Sequence, residues 1–350
     1  MGLSDIAGVF SRYFIVGFFL PVFFAMVALA QAVDSSMLPH VYTQSSSGAR
    51  IAILGGAALA GGLLLLGLNY NVLRIFEGYP LRALDRVPVI RLIYRVPLAA
   101  QRRRFRRARK KCDDQHIDDE GPFQAAWRLG LRFPYDRAHP DSTHLLLPTS
   151  FGNALRAFEW RSFANWHLNS IGAWPHIESL LSDQEAQVLT DAKGDVAFFV
   201  NGSLVGIISA VVLGFDVLKY QSAASLWAVA IPLAVALATY RAAIGAVQRW
   251  GVVVSACIDL HRRELYEKVG LRAPADFRDE RALAWNLNRT LLLGREVPND
   301  LALPKPPPDP AENSNGGAGQ DVVASHGLQL LLLVAVWRAI RSALRGSRAF

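Results

Sequence analysis

The chain has 350 residues, of which 52% are hydrophobic, and a formal net charge of +8. Its two cysteines, Cys112 and Cys257, exclude a disulfide framework and a zinc site built from paired cysteines. The hydrophobic residues form four long blocks instead of amphipathic patterns, which is typical of a multi-pass membrane protein and not of a soluble enzyme.

The first two predicted elements are transmembrane helices at residues 13–33 and 51–68. Both runs are uncharged and come close to the roughly 20 residues that a helix needs to cross a bilayer. The stretch ALAQA inside the first run also resembles a signal-peptide cleavage site, so removal of this span stays open. Small residues in the second span allow close approach of another helix. We expect helix packing there through Gly56, Ala60, Gly61 and Gly62.

A strongly basic juxtamembrane segment follows at residues 71–111, with 13 basic and two acidic residues. It predicts a proline-broken amphipathic helix on the inner leaflet, where each basic residue adds roughly 1 kcal/mol of attraction to anionic lipids. Nucleic acid is a less favoured partner, because the run of arginines contains a single aromatic residue for stacking. The residues predicted to contact lipid headgroups are Arg102, Arg103, Arg104, Arg106 and Arg107.

The next segment, at residues 112–192, is predicted to be a small α+β domain. It begins with the acidic stretch CDDQHIDDE, which we interpret as a solvated loop. The alternatives are an enzyme that uses this loop with His116, or a metal site formed by Asp113, Asp114, His116, Asp118 and Glu120. Residues 128–133 and 143–147 predict the two strands of a hairpin. A helix starting near Ser150 presents the aromatic surface of Trp160, Phe163 and Trp166, which is typical of a core or a subunit interface.

The third and fourth spans are predicted at residues 196–218 and 223–246. The capping box between Ser182 and Glu185 starts a helix that continues into the third span. The fourth span is predicted to continue past Arg249 as one long helix. A further helix at 272–293 is predicted to bury Trp285 and Leu287.

Polar residues inside a membrane span are candidates for function. In the third span we predict that such residues line a pore if several subunits assemble around it. Hydrogen bonding between neighbouring helices is the alternative. The residues concerned are Asn201, Ser203 and Ser209.

The distribution of basic residues predicts the orientation of the chain. Residues 69–195 contain 19 Lys and Arg, whereas the connections after the first and third spans contain one each, Arg50 and Lys219. The positive-inside rule therefore places the central segment and both termini in the cytoplasm. A proline- and glycine-rich stretch at 303–322 predicts a flexible linker, and 323–350 predicts an amphipathic helix, with a fifth membrane span as the alternative.

Together these elements predict a mainly α, polytopic membrane protein with four transmembrane helices and a small α+β cytoplasmic domain. The predicted divisions are a helical hairpin at 1–70, the basic segment at 71–111, the α+β domain at 112–192, a second hairpin at 193–250, a cytoplasmic helical region at 251–302, the linker at 303–322 and the C-terminal helix at 323–350.

Four stretches resemble a group of poorly characterised bacterial multi-pass membrane proteins over residues 12–295. They are FEGY at 76–79, LPTSFGNALRAFE at 147–159, WPH at 174–176 and CIDLHRREL at 257–265. The resemblance implies a bacterial inner membrane, with signalling or phage defence as a context. None of these stretches is a catalytic signature, and the chain contains no P-loop, GxSxG or HExxH motif.

We therefore expect a protein that is not an enzyme and that needs no cofactor or metal. The leading hypothesis is a homo-oligomeric, channel-like membrane effector, gated by a cytoplasmic domain that responds to a protein or small-molecule regulator. The alternative is a membrane scaffold that recruits a soluble partner.

Overall fold

A computed structural model describes residues 11–33, 38–80, 88–113, 120–135, 142–220 and 226–296, together with 298, 301 and 302. The acidic stretch around Asp114 and His116, the linker at 303–322 and the C-terminal helix at 323–350 lie outside these residues. The helices, in chain order, are α1 (Arg12–Ala32), α2 (His40–Thr43), α3 (Ser47–Glu77), α4 (Pro88–Asp113), α5 (Glu120–Arg132), α6 (Ser150–Trp166), α7 (Ser170–Glu178), α8 (Asp183–Tyr220), α9 (Leu226–Lys268) and α10 (Phe277–Leu293).

Four of these helices, α1, α3, α8 and α9, are long and apolar enough to cross a membrane, so the prediction of four spans is confirmed at this level. The helices α8 and α9 have 38 and 43 residues. At 1.5 Å per residue they are roughly 57 and 65 Å long, about twice the thickness of the hydrocarbon layer. Both therefore extend well beyond one side of the membrane.

The start of α8 and the continuation of α9 agree with the sequence. The backbone nitrogen of Ser182 donates a hydrogen bond of 2.9 Å to the side chain of Glu185, and the backbone nitrogen of Glu185 donates one of 3.4 Å to the hydroxyl of Ser182, as a capping box requires. The helix α9 runs without a break from the fourth span to Lys268.

Small residues bring the spans α8 and α9 together. A Cβ atom added at Gly206 would lie 3.0 Å from the Cβ of Ala236, and one at Gly202 would lie 3.4 Å from Thr239. Close backbone approach replaces the hydrophobic effect as a source of helix association in lipid. The four-residue spacing of these glycines was visible in the sequence, but the sequence analysis did not single it out.

The ends of α8 and α9 beyond the spans form a helical head with α4–α7 and α10. Its largest core cluster joins Ile177 of α7, Leu189 of α8, Ile258 and Tyr266 of α9, and Leu283 of α10, all less than 9% exposed. A second cluster connects the parts of α3, α8 and α9 that lie next to the head to α6. The head and the spans thus share the same two long helices.

The predicted α+β domain is wrong, because the described residues of this region form helices joined by turns and include no strand. Residues 128–132 belong to α5, and Ser142–Leu145 forms a 3-10 turn where a second strand was predicted. Leu129 and Phe133 lie one helical turn apart and both bury against Phe105 of α4. A hydrophobic pattern of five or six residues was too short to distinguish a strand from a helix that has a partner.

The helix α10 is also confirmed, but only one of its two predicted core residues is buried. Leu287 is 1% exposed, whereas Trp285 is 51% exposed. The buried stripe of α10 follows a helical repeat that includes Leu283, Ala284 and Leu287. Trp285 lies outside that stripe, so the prediction of a buried tryptophan is wrong.

Candidate functional site

The polar residues of the third span are buried inside a single chain. The Nδ2 of Asn201 donates a hydrogen bond of 2.8 Å to the carbonyl oxygen of Gly17 in α1. The hydroxyl of Ser203 donates one of 3.0 Å to the carbonyl oxygen of Ala236 in α9, and Ser209 is 6% exposed. Asn201 and Ser203 therefore connect helices within the subunit, as the alternative interpretation expected, and pore lining stays a prediction.

The four small residues of the second span divide between two faces of α3. A Cβ at Gly61 would lie 3.0 Å from Val22 of α1, and one at Gly62 would lie 3.3 Å from the Cα of Phe19. Gly56 and Ala60 are exposed. These two residues face away from the other described helices of the chain and are free to contact lipid or a second copy.

Two of the sequence motifs meet where the second span ends. Gly78 of FEGY ends α3 with a φ of +87°, and a Cβ there would lie 2.5 Å from Pro148. The hydroxyl of Thr149 donates a hydrogen bond of 3.0 Å to the carbonyl oxygen of Glu77. Thr149 is also the N-cap of α6, since its side chain accepts a bond from the backbone of Gly152. We call this contact the α3–α6 junction.

A buried asparagine fixes the approach to the α3–α6 junction. The Nδ2 of Asn153 donates to the carbonyl oxygen of Leu147 at 2.9 Å, and its Oδ1 accepts from the amide of Leu147 at 2.7 Å. Asn153 is fully buried, so both bonds are protected from water. This part of the LPTSFGNALRAFE motif is therefore structural within the described residues.

The CIDLHRREL motif joins α9 to α6 and α10. The Nε of Arg262 donates a hydrogen bond of 2.7 Å to Glu280 of α10, and its guanidinium lies 3.6 Å from the ring centre of Trp166 in α6. The indole nitrogen of Trp166 in turn donates to Asp259 at 2.7 Å. His261 of the same motif contacts Glu185 of α8 at 3.1 Å. Contacts of this motif therefore fix the positions of α6, α8, α9 and α10 relative to one another.

A large cationic cavity lies between α4, α5 and α9. Its volume is about 990 Å³, and none of its described lining residues is acidic. Ser150, at the first turn of α6, also lines it and accepts a hydrogen bond of 2.9 Å from the side chain of Gln101. The basic residues that line the cavity are Arg104, Arg107, Lys111, Arg128, Arg132 and Arg241.

Only two of the five arginines that were predicted to contact lipid line the cavity. Arg104 and Arg107 line the cavity, whereas Arg102, Arg103 and Arg106 are exposed elsewhere on α4. The apolar side of α4 does not lie open to lipid at Phe105, which is 1% exposed and packs on α5. Lipid contact by the five arginines stays a prediction, but their helix is anchored to protein.

One acidic residue near the α3–α6 junction titrates close to neutral pH. Burial and, to a smaller extent, the neighbouring carboxylate of Glu77 raise the pKa of Glu159 in α6 to about 7. Arg156 and Arg74 lower the same pKa and offset part of this effect. The side chain therefore changes charge within the physiological range.

Glu159→Gln is expected to flatten the dependence of stability on pH. The folded state holds the Glu159 proton up to about pH 7, and the unfolded state loses it near pH 4.5. The contribution of Glu159 to the free energy of unfolding is therefore fully present below pH 4.5 and is lost as the pH rises through 7. The loss amounts to up to about 3 kcal/mol. Tryptophan-fluorescence melting in detergent at pH 5 and pH 8 measures it. The stability of the variant relative to wild type is expected to be higher at pH 8 than at pH 5. Parallel pH profiles of the two proteins would contradict the raised pKa of Glu159.

Comparisons with protein-family models, with curated proteins and with solved structures give no match for this chain. The site with the most distinctive chemistry is therefore identified from geometry alone, and it is the cationic cavity. The sequence analysis recognised its α4 arginines but not Arg128 and Arg132. Their four-residue spacing was the available signal, since it places both on one face of a helix.

Proposed function

We propose that this protein is an oligomeric inner-membrane effector in which the helical head controls the arrangement of the spans. The observation that carries the proposal is the continuity of α8 and α9. Leu189 of α8 and Ile258 and Leu265 of α9 belong to the core of the head, and the same helices continue into the third and fourth spans. A ligand that binds two arrangements of the head unequally would shift the spans with it.

The proposed location is a bacterial inner membrane with the head and both termini in the cytoplasm. The unequal distribution of Lys and Arg between the connections supports this orientation. The resemblance of the four motifs to bacterial multi-pass proteins supports the host and suggests a role in signalling or phage defence.

Assembly of several copies is part of the proposal. The exposed small residues Gly56 and Ala60 on α3 would allow another subunit to approach closely. Asn201 and Ser203 already bond within one chain. A conduction path would therefore form between copies, and channel activity would depend on how the head sets their contacts.

A scaffold that recruits a soluble partner is the second candidate. It is favoured by exposed apolar side chains where α7 and α10 meet, because Ile171 is 68% exposed and Leu293 is 65% exposed. An apolar surface of this kind on the head is suited to a protein partner.

Coupling between head and spans is tested by ion flux from liposomes that contain Leu189→Ala or Val188→Ala. Leu189 is 7% exposed in the head core, and Val188, one position earlier, is 48% exposed. Truncating Leu189 loosens the core and is expected to change flux several-fold per assembled protein, whereas the Val188 control keeps the wild-type rate. Light scattering on the same proteins in detergent gives the subunit number.

Leu189→Val replaces the alanine variant if the latter does not remain monodisperse. Equal flux in wild type and both variants would contradict control by the head. An oligomer without any flux in the wild type would contradict the channel and favour the scaffold.

A further inference from the structure

We propose that the cavity between α4, α5 and α9 binds an anion that carries two or more phosphate groups. Six basic side chains from three helices converge there, and no described lining residue is acidic. The assignment goes beyond the proposed coupling, because it concerns which chemistry the head recognises and does not depend on ion conduction.

No carboxylate among the described residues balances the charges of the cavity. None of its six basic residues has a described carboxylate within ion-pair distance, and Arg104 donates a hydrogen bond of 3.5 Å to the neutral hydroxyl of Ser150. Other arginines of the head are paired, such as Arg262 with Glu280 at 2.7 Å and Arg272 with Asp279 at 2.6 Å. Like charges held together in one cavity repel one another, and a bound polyanion would remove this cost.

The arrangement of donors suits phosphate oxygens. Guanidinium groups bind phosphate through two parallel hydrogen bonds, and several of them can share one multiply charged group. Ser150 in the first turn of α6 also lines the cavity and adds a neutral hydroxyl group beside these charges.

The size of the cavity favours an organic ligand over a single inorganic ion. Its volume of about 990 Å³ lies at the upper end of the roughly 300–1,000 Å³ found for small-molecule sites. Leu129, Phe133 and Ile244 give it apolar walls, and Gln124 and Gln248 add neutral hydrogen-bonding groups. A phosphorylated ligand with an apolar or aromatic part would use both kinds of surface.

Two sources can supply this chemistry. Arg241 and Ile244 lie at the end of the fourth span, so the cavity adjoins the side of the membrane from which the head projects. A phospholipid headgroup and a soluble phosphorylated metabolite would both reach it. The shared feature is the cluster of phosphate charges, and the experiment has one arm for each source.

The soluble arm is calorimetric titration of the full-length protein in non-ionic detergent with inorganic tripolyphosphate. Arg104→Gln/Arg107→Gln removes two charges that line the cavity. Arg103→Gln/Arg106→Gln removes two exposed charges with the same spacing on the same helix and serves as the matched control. The cavity variant is expected to bind at least ~10-fold more weakly than wild type, and the control within about twofold.

The lipid arm measures binding of cardiolipin by native mass spectrometry to wild type, to the cavity variant and to Arg241→Gln, a cavity variant from a different helix. The exposed Arg263, which does not line the cavity, provides the control variant Arg263→Gln for this arm. Tripolyphosphate binding that depends on the cavity variants supports a soluble ligand. Cardiolipin binding with that dependence, in the absence of tripolyphosphate binding, supports a lipid headgroup. The proposal is overturned if neither probe binds, or if the control variant weakens binding as much as the cavity variant.

Discussion

Gly152→Ala is expected to destabilise the protein by about 2 kcal/mol, because it separates the second span from the head. A Cβ at this position would lie 2.5 Å from the carbonyl oxygen of Glu77 and 2.9 Å from its Cα. Both are backbone atoms, so relief requires α3 and α6 to move apart, and overpacking of this kind costs about 1–3 kcal/mol or more. The better helix propensity of alanine returns only about 1 kcal/mol.

The measurement is the melting temperature in detergent, and the expected decrease is ~5 °C or more. Gly130→Ala is the matched control, because Gly130 also lies within a helix of the head but has no described atom within 4 Å of its added Cβ. That control is expected to melt at or slightly above the wild-type temperature. Equal melting temperatures in the two variants would contradict this prediction, because they would show that the α3–α6 junction accommodates the added methyl group.

Glu280→Gln is expected to cost about 3 kcal/mol, because it leaves the charge of Arg262 buried without a partner. The side chains of Arg262 and Glu280 are 13% and 3% exposed, and their ion pair measures 2.7 Å. The stacking of Arg262 on Trp166 does not replace a counter-charge. The head is expected to loosen where α6, α9 and α10 meet, which thermal melting and limited proteolysis would detect.

The exposed pair between Arg249 and Asp195 provides the control for this prediction. Its side chains are 63% and 55% exposed and 3.7 Å apart, so Asp195→Asn is expected to change stability by less than about 1 kcal/mol. The combination of Glu280→Gln with Arg262→Met removes the unpaired charge and is expected to recover part of the loss. If the single variant matched Asp195→Asn, the buried pair would not hold the head together.

The motifs that suggested a resemblance illustrate how function and packing can give similar sequence signals. FEGY and LPTSFGNALRAFE contact each other at the α3–α6 junction. CIDLHRREL supplies Arg262 and Asp259, which bond to other helices. Unusual combinations of glycine, asparagine and charged residues are therefore explained here by close helix contacts, whereas the cationic cavity has no structural explanation within the described chain.

Local features of the sequence were sufficient to predict the four spans, the capping box at Ser182 and the long helix α9. Hydrophobic length and capping chemistry act over one helix, so a single chain segment carries the whole signal. Tertiary structure alone decided that residues 128–132 form a helix, because Leu129 and Phe133 find their partner on α4. It also decided that Asn201 bonds to Gly17, and that Arg104, Arg128 and Arg241 line one cavity. Those contacts join residues far apart in the chain, and their energies depend on which helices pack together, which no local pattern encodes.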